Sequence, residues 1–296
     1  MAGSTESVNE RTRDLDLRPT EAIVAALLDE ERRVPDAVAA VAGQIARAVE
    51  AVVSSLRGGG CLHSFGAGTS GRLAALDASE LAPTFGLSDG SVVVHLAGDG
   101  APDARGREAA EDDEAAGRAA AGVLRPLDVA LGVSASGATP YVRGALVAAQ
   151  RARVTTILVS CSPDCPLGRE VDVHVAPDTG AEVLAGSTRL KAGTATKLVL
   201  NAISTTAMIR LGRTYGNLMV GLDPTNAKLQ GRARRILREA AGLGEEEARE
   251  LLAAASGEVP TALVMALAGV GAGRARAALA DGDGSVRRAL TRLPAR

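Results

Sequence analysis

The sequence predicts an α/β fold, a doubly wound parallel sheet flanked by helices, with a small helical domain after it. Three observations carry this. Five short apolar, β-branched runs, Cys61–Phe65, Val92–Ala97, Val129–Val133, Thr155–Ser160 and Val171–Val175, are nearly continuous, as in strands buried on both faces. Helical segments separate the runs, the alternation that builds a parallel sheet. Beyond Asn226 the strand signal stops and only short helical segments follow.

At 296 residues, with 46% hydrophobic and 23% charged, the chain has the size and balance of an ordinary globular protein with a substantial core. A net charge of −2 argues against nucleic acid or an anionic membrane as the main partner. No apolar run approaches the roughly 20 residues needed to cross a bilayer. The polar stretch Met1–Arg13 is unlike a secretion signal. Three cysteines make no disulfide framework, so the expected compartment is the cytoplasm. The three histidines lie scattered on expected strands, which points away from a metal site.

Taken in order, Thr20–Leu56 reads as helices: Ile23, Val24, Leu27 and Leu28, then Val38, Val41, Ile45 and Val52, keep a 3.6-residue period. This sets a helical segment at 1–56 and a sheet domain at 57–225. An Arg-rich linking helix follows at 226–243. The last segment, 244–296, reads as a small helical domain broken at Ser256-Gly257, Gly269–Gly273 and Asp281–Gly284.

Two turns at expected strand ends can bind an anion. After the first strand comes Gly66-Ala67-Gly68-Thr69-Ser70-Gly71, which leads into a helix. Strand, glycine turn and helix leave backbone N–H groups pointing at an incoming anion, and Thr69 and Ser70 add hydroxyls. No Walker lysine follows and the spacing departs from the dinucleotide fingerprint, so a small phosphorylated ligand fits better than a nucleotide. After the third strand comes Ser134-Ala135-Ser136-Gly137-Ala138-Thr139-Pro140-Tyr141. By itself an ordinary N-cap explains it; paired with the first turn on one sheet, it reads as the other half of a phosphate cradle. Ligands in such sheets bind at the carboxyl ends of strands. A third dense stretch, Glu182–Thr194, holds Glu182, Ser187, Thr188, Arg189 and Lys191 at the start of a long helix running to about Leu211. Arg189 and Lys191 can neutralise a carboxylate or phosphate.

Two acids stand out. Glu80 is expected to end the helix begun by the glycine turn, with Pro83 stopping it, so that it faces the negative end of the helix dipole and suits a general acid. Glu111 lies in Arg107–Glu114, where Glu108, Glu111 and Asp112 would share one helix face. A solvated acidic helix is the plainer account of that run.

These stretches, with Pro83-Thr84-Phe85-Gly86, Ala110-Glu111-Asp112, Gly186–Thr194, Tyr215–Val220 and Asn226 with Lys228-Leu229, resemble the signature of N-acetylmuramic acid 6-phosphate etherases. Order and spacing hold from about Thr5 to the C-terminal helices. The resemblance implies a sugar isomerase (SIS) fold and cleavage of the lactyl ether of N-acetylmuramic acid 6-phosphate, giving N-acetylglucosamine 6-phosphate and D-lactate, with no metal or redox cofactor. It implies that Glu80 protonates departing lactate, that Glu111 takes the C2 proton, and that Ser70, Ser134, Ser136 and Thr139 cradle the phosphate. Gly68, Thr69, Gly137, Glu182, Ser187, Thr188, Arg189 and Lys191 complete the expected substrate contacts. Ala138, where the family often has arginine, and Gly98-Asp99-Gly100, where it has a glycine pair, depart from the pattern and bear on affinity.

Ser70 to Glu80 as continuous helix spans roughly 15 Å at about 1.5 Å per residue, longer than a hexose phosphate comfortably bridges. A homodimer sharing its sites is therefore expected. Two other functions compete: a non-catalytic regulator sensing a sugar phosphate, which needs no acid and base, and an aldose–ketose isomerase, which has no use for a leaving-group acid at C3.

Overall fold

All five apolar runs become strands, their ends within two residues of those expected. The computed structural model describes residues 7–293 except Pro102, Asp223 and Thr225, and the side chains of Ala104 and Arg107 are likewise outside the description. Met1–Glu6, Thr225 and Pro294–Arg296, on which the outer limits of three expected segments fall, therefore lie outside the described residues, as does half of the polar Met1–Arg13 stretch.

In chain order, α1 (Thr20–Glu31), α2 (Val34–Ala40) and α3 (Ala42–Arg57) precede β1 (Leu62–Gly66) and α4 (Gly68–Phe85). Next come β2 (Val92–Leu96), α5 (Ala104–Ala109), α6 (Glu114–Ala120), β3 (Val129–Val133), α7 (Pro140–Arg151), β4 (Thr155–Val159), β5 (Val173–Val175) and α8 (Lys191–Arg210). The rest holds a short hairpin, β6 (Thr214–Tyr215) and β7 (Leu218–Met219), then α9 (Ala227–Ala241), α10 (Glu245–Ala254), α11 (Val259–Ala268), α12 (Ala272–Asp281) and α13 (Val286–Thr291).

The chain divides into two compact units. One comprises residues up to Ala78 together with Gly90–Ser204, and the other comprises Ser79–Asp89 and the chain from Thr205 on. This differs from divisions at 56, 225 and 243. The N-terminal helices belong with the sheet, because α3 places Val49, Val52 and Val53 on one buried face and packs against β1, β3 and β5.

The first unit is built on a five-stranded parallel sheet in the order β2-β1-β3-β4-β5. β1 and β3 are buried along their whole length, which is why β3 reads as a continuous apolar run; β1 carries His63 and Ser64 buried among its apolar residues. Phe65, Leu146, Leu158 and Val142 fill the layer between the sheet and α7, each at 0% exposure. Burying such side chains is worth roughly 1.5–3 kcal/mol each.

In the second unit, α9 to α13 enclose Ile236, Leu237, Leu263 and Val264, and the expected breaks separate the last four helices. The Asn226 side chain starts α9 by accepting from the Leu229 N–H at 2.9 Å, and left-handed Gly242 ends it. No single helix among the described residues is long and apolar enough to cross a membrane.

Two expectations about helices need correction. α4 does not stop before Pro83 but runs through it to Phe85, so Glu80 is not at the helix end and the dipole argument for it loses its basis. Proline there forfeits one backbone bond in the last turn, where little helix remains to disrupt. The acidic run is not one helix either. Asp113 accepts from the Ala116 N–H at 2.8 Å and begins α6, leaving Glu111 on a single 3-10 turn, Ala110–Asp112, behind α5.

Candidate active site

From β1 the chain moves outward to β2, then returns to the other side of β1 as β3, so the winding reverses between β1 and β3. At such a switch point the loops leaving two adjacent strands diverge and open a crevice at their carboxyl ends. The two turns expected to bind an anion are those loops. They line a cavity of about 490 Å³ with Gly68, Thr69, Ser70 and Arg72 on one side, Ala135, Ser136 and Thr139 on another, and Glu108, Glu111, Thr188, Gly193 and Thr196 around the rest.

The glycine turn is held by a backbone-to-backbone approach. A Cβ on Gly66 would lie 2.7 Å from Gly71 Cα, so neither position tolerates a side chain. Gly68 opens α4 at φ +52°, a left-handed backbone that glycine adopts without strain. α4 and α7 thus both begin at the cavity, and each brings the partial positive charge of its first turn.

The second turn is more than an N-cap. Thr139 holds the N-cap position of α7 but its side chain makes no cap bond. Its hydroxyl instead lies 2.8 Å from Ser134 Oγ and donates to Glu111 Oε1 at 3.3 Å. Ser134 accepts from the Gly137 N–H at 3.1 Å. Ser134 is buried, and Gly137 packs beneath Cys165, so both shape the turn from behind while Ser136 and Thr139 face the cavity. Ser136 Oγ accepts from the Ala138 N–H at 3.2 Å.

Glu111 reaches this place because α6 presses closely on α7. A Cβ on Gly117 would strike the Tyr141 carbonyl, and one on Gly144 the Glu114 carbonyl. With the helices this close, the 3-10 turn preceding α6 lies over the start of α7. Glu108 also lines the cavity, whereas Asp112 is exposed and does not.

The stretch at the start of α8 divides. Thr188 lines the cavity; Ser187 and Arg189 do not. Lys191 is 1% exposed, its ammonium 2.8 Å from Glu30 Oε2 and 2.6 Å from the Ala181 carbonyl. The carboxylate it neutralises is internal, which corrects the expectation that it waits for a ligand. Glu182, fully buried, accepts from the Lys191 and Ala192 N–H groups at 3.0 and 2.9 Å and so caps α8. Burial pushes its carboxyl up, and the two amides oppose that shift. Glu80 is exposed and lies outside the cavity lining.

Arg72, Gly193 and Thr196 join the lining without having been singled out as ligand contacts. Gly193 and Thr196 are three residues apart on an expected helix, so their shared face was available as a signal. Two of the three histidines meet rather than lie scattered: His63 Nδ1 is 3.0 Å from His95 Nε2, whereas His174 lies on β5 against Ser160. Cys61, His63 and Asp128 form a compact group at the other end of β1. Asp128 is engaged there by the Cys61 and Arg125 N–H groups, and the Arg125 guanidinium bonds both the carboxylate and Cys61 Sγ. A cationic side chain already neutralises that group.

Comparison with known proteins agrees with this architecture. Residues 44–150 match the glucokinase regulatory protein N-terminal SIS domain. A phosphoheptose isomerase from Francisella tularensis superposes with a TM-score of 0.50 at 15% identity, covering 65% of this chain and all of that one. An Escherichia coli protein solved as a ligand complex gives 0.50 at 18% identity, over 71% of this chain and 97% of its own. These likenesses establish an SIS fold. In sequence, an N-acetylmuramic acid 6-phosphate etherase from Thermobifida fusca is 52% identical over 263 residues, 89% of this chain and 86% of the relative. One from Salmonella enteritidis is 47% identical over 288 residues, 97% of each chain. The chain belongs to the N-acetylmuramic acid 6-phosphate etherase family.

Proposed function

We propose that this protein is a carbon–oxygen lyase that cleaves the lactyl ether of N-acetylmuramic acid 6-phosphate, releasing D-lactate and N-acetylglucosamine 6-phosphate. The observation that carries the reading is the placing of Glu111 in one cavity with two hydroxyl-rich turns at the sheet's switch point. A regulator that only senses a sugar phosphate needs the turns but not the carboxylate.

The phosphate sits against Thr69, Ser70 and Ser136, with Gly68, Thr139 and Thr188 beside it. In the open-chain sugar the C1 aldehyde acidifies the C2 hydrogen. Glu111 takes that proton, the electron pair forms a C2–C3 double bond, and the C3–O bond to lactate breaks. An acid protonates the departing oxygen, and water then adds at C3 as a proton returns to C2.

Glu80 is that acid in this reading. α4 is continuous from Gly68 to Phe85, so the Ser70–Glu80 separation is roughly 15 Å at about 1.5 Å per residue. That separation supports a homodimer in which the acid of one subunit serves the cavity of the other. Three free thiols suit a reducing compartment, and we assign the enzyme to the cytoplasm.

The test is to incubate the protein with N-acetylmuramic acid 6-phosphate and assay D-lactate. Stoichiometric release is expected. Tight binding of the sugar with no lactate would favour the regulator, and a ketose product the isomerase.

A further inference from the structure

The proposed substrate carries two anionic groups, and the cavity treats them unequally. Its turns offer neutral hydroxyls and helix N-termini, suited to a phosphate. Glu108 and Glu111 add negative charge to the same lining. An anion near them is repelled unless a cation offsets it, because charges in a partly enclosed site interact more strongly than in bulk water.

Among the described lining residues the only cationic side chain is Arg72. Three other cations among the described side chains do not line it. Lys191 is bound to Glu30, Arg143 to Glu114 at 2.8 Å, and Arg189 is not in the lining. Arg72 is exposed, and among the described residues its guanidinium bonds only Thr69, with Nη2 donating to Oγ1 at 3.2 Å. That bond steadies the guanidinium beside the glycine turn and leaves most of its five N–H donors open.

We propose that Arg72 binds the carboxylate of the lactyl group and thereby selects the ether-bearing sugar phosphate over the same sugar without it. This rests on the functional reading above. A guanidinium fork matches the two oxygens of a planar carboxylate, and in the proposed pose the phosphate is already met by hydroxyls and backbone amides.

The test compares two ligands, N-acetylmuramic acid 6-phosphate and N-acetylglucosamine 6-phosphate, which differ by the lactyl group. Binding of each is measured by calorimetry in a Glu111→Gln background, so that turnover does not interfere, with and without Arg72→Met. The expected result is a loss on the order of 10- to 100-fold for the ether sugar and less than about twofold for the plain one, as for removal of a hydrogen bond to a charged group. Arg72→Lys should recover part of the loss. Equal weakening of both ligands would make Arg72 a phosphate ligand and overturn the proposal; so would no change in either. Unchanged affinity for the plain sugar shows that the variant is folded. Lactate release by the unmodified protein is scored separately, so an inactive enzyme sinks the functional reading while the binding ratio still decides the role of Arg72.

Discussion

Thr139 and Glu111, 28 residues apart in sequence, share a hydrogen bond of 3.3 Å between hydroxyl and carboxylate across the candidate cavity. The same hydroxyl lies 2.8 Å from Ser134, which in turn accepts from the Gly137 N–H. A chain of donors therefore runs from the backbone of the second turn to the proposed base and fixes which way its carboxylate faces. A turn built only to hold a phosphate would not need its last hydroxyl pointed at an acid.

Removing the base should be far more costly than removing its support. Glu111→Gln is expected to lower kcat by about 10²- to 10⁴-fold, the range for a general base. Thr139→Val should lower kcat by roughly tenfold, and Thr139→Ser should restore most of it, since only the hydroxyl is required. Steady-state lactate assays check both. A rise in KM alone for Thr139→Val would confine that residue to anchoring.

Sharing of sites between subunits can be tested by complementation. Glu80→Gln and Ser136→Ala chains, each inactive alone, should regain part of the activity in verified mixed dimers. Glu80 is exposed, so its substitution should shift stability by no more than about 0.5 kcal/mol. Mixed dimers that stay inactive would count against a shared site.

The buried ion pair of Lys191 with Glu30 predicts a stability effect rather than a binding one. Hydrogen bonds from Arg11, and then from Lys191, hold the Glu30 carboxyl down at about 2 against the opposing effect of burial. Its folded-state value lies below the ordinary 4.5, so its stabilisation is present above that pH and fades as pH falls from about 4.5 towards 2. Glu30→Gln should abolish that part of the acid dependence and cost about 3–5 kcal/mol at neutral pH, because the Lys191 ammonium is left buried without its charge partner. Denaturant midpoints measured against pH read both effects.

The glycine turn should be intolerant of the smallest addition. Gly66→Ala would push a methyl group to 2.7 Å from the Gly71 backbone, which no side-chain movement relieves. A loss of about 1–3 kcal/mol is expected, as for overpacking a tight interior, together with weakened binding of inorganic phosphate. Melting temperature and phosphate titration are the measurements.

Most of the fold is readable in the sequence for a simple reason. Strands buried on both faces favour apolar or small residues, and β3 has nothing else, while β1 and β4 are buried over all or all but one of their positions despite His63, Ser64 and Thr156. Both anion turns are also legible, since glycines and hydroxyls at strand ends announce themselves by composition. What escapes depends on distant partners. Nothing local says that Lys191 will meet Glu30, 161 residues earlier, rather than a ligand. The break at Asp113 is hidden because an N-cap and an acidic helix use the same residue type. Pro83 reads as a stop, although a helix can carry proline close to its end.

One buried carboxylate outside the cavity lining has a further effect. Glu182 occupies the first amides of α8, the third helix to begin near the cavity. A molecule with negative charge at both ends could in principle dock in either direction. With the Lys191 and Ala192 amides taken from inside, α4 and α7 are, among the described helices that begin at the cavity, the two whose first turns face it without such a side-chain plug.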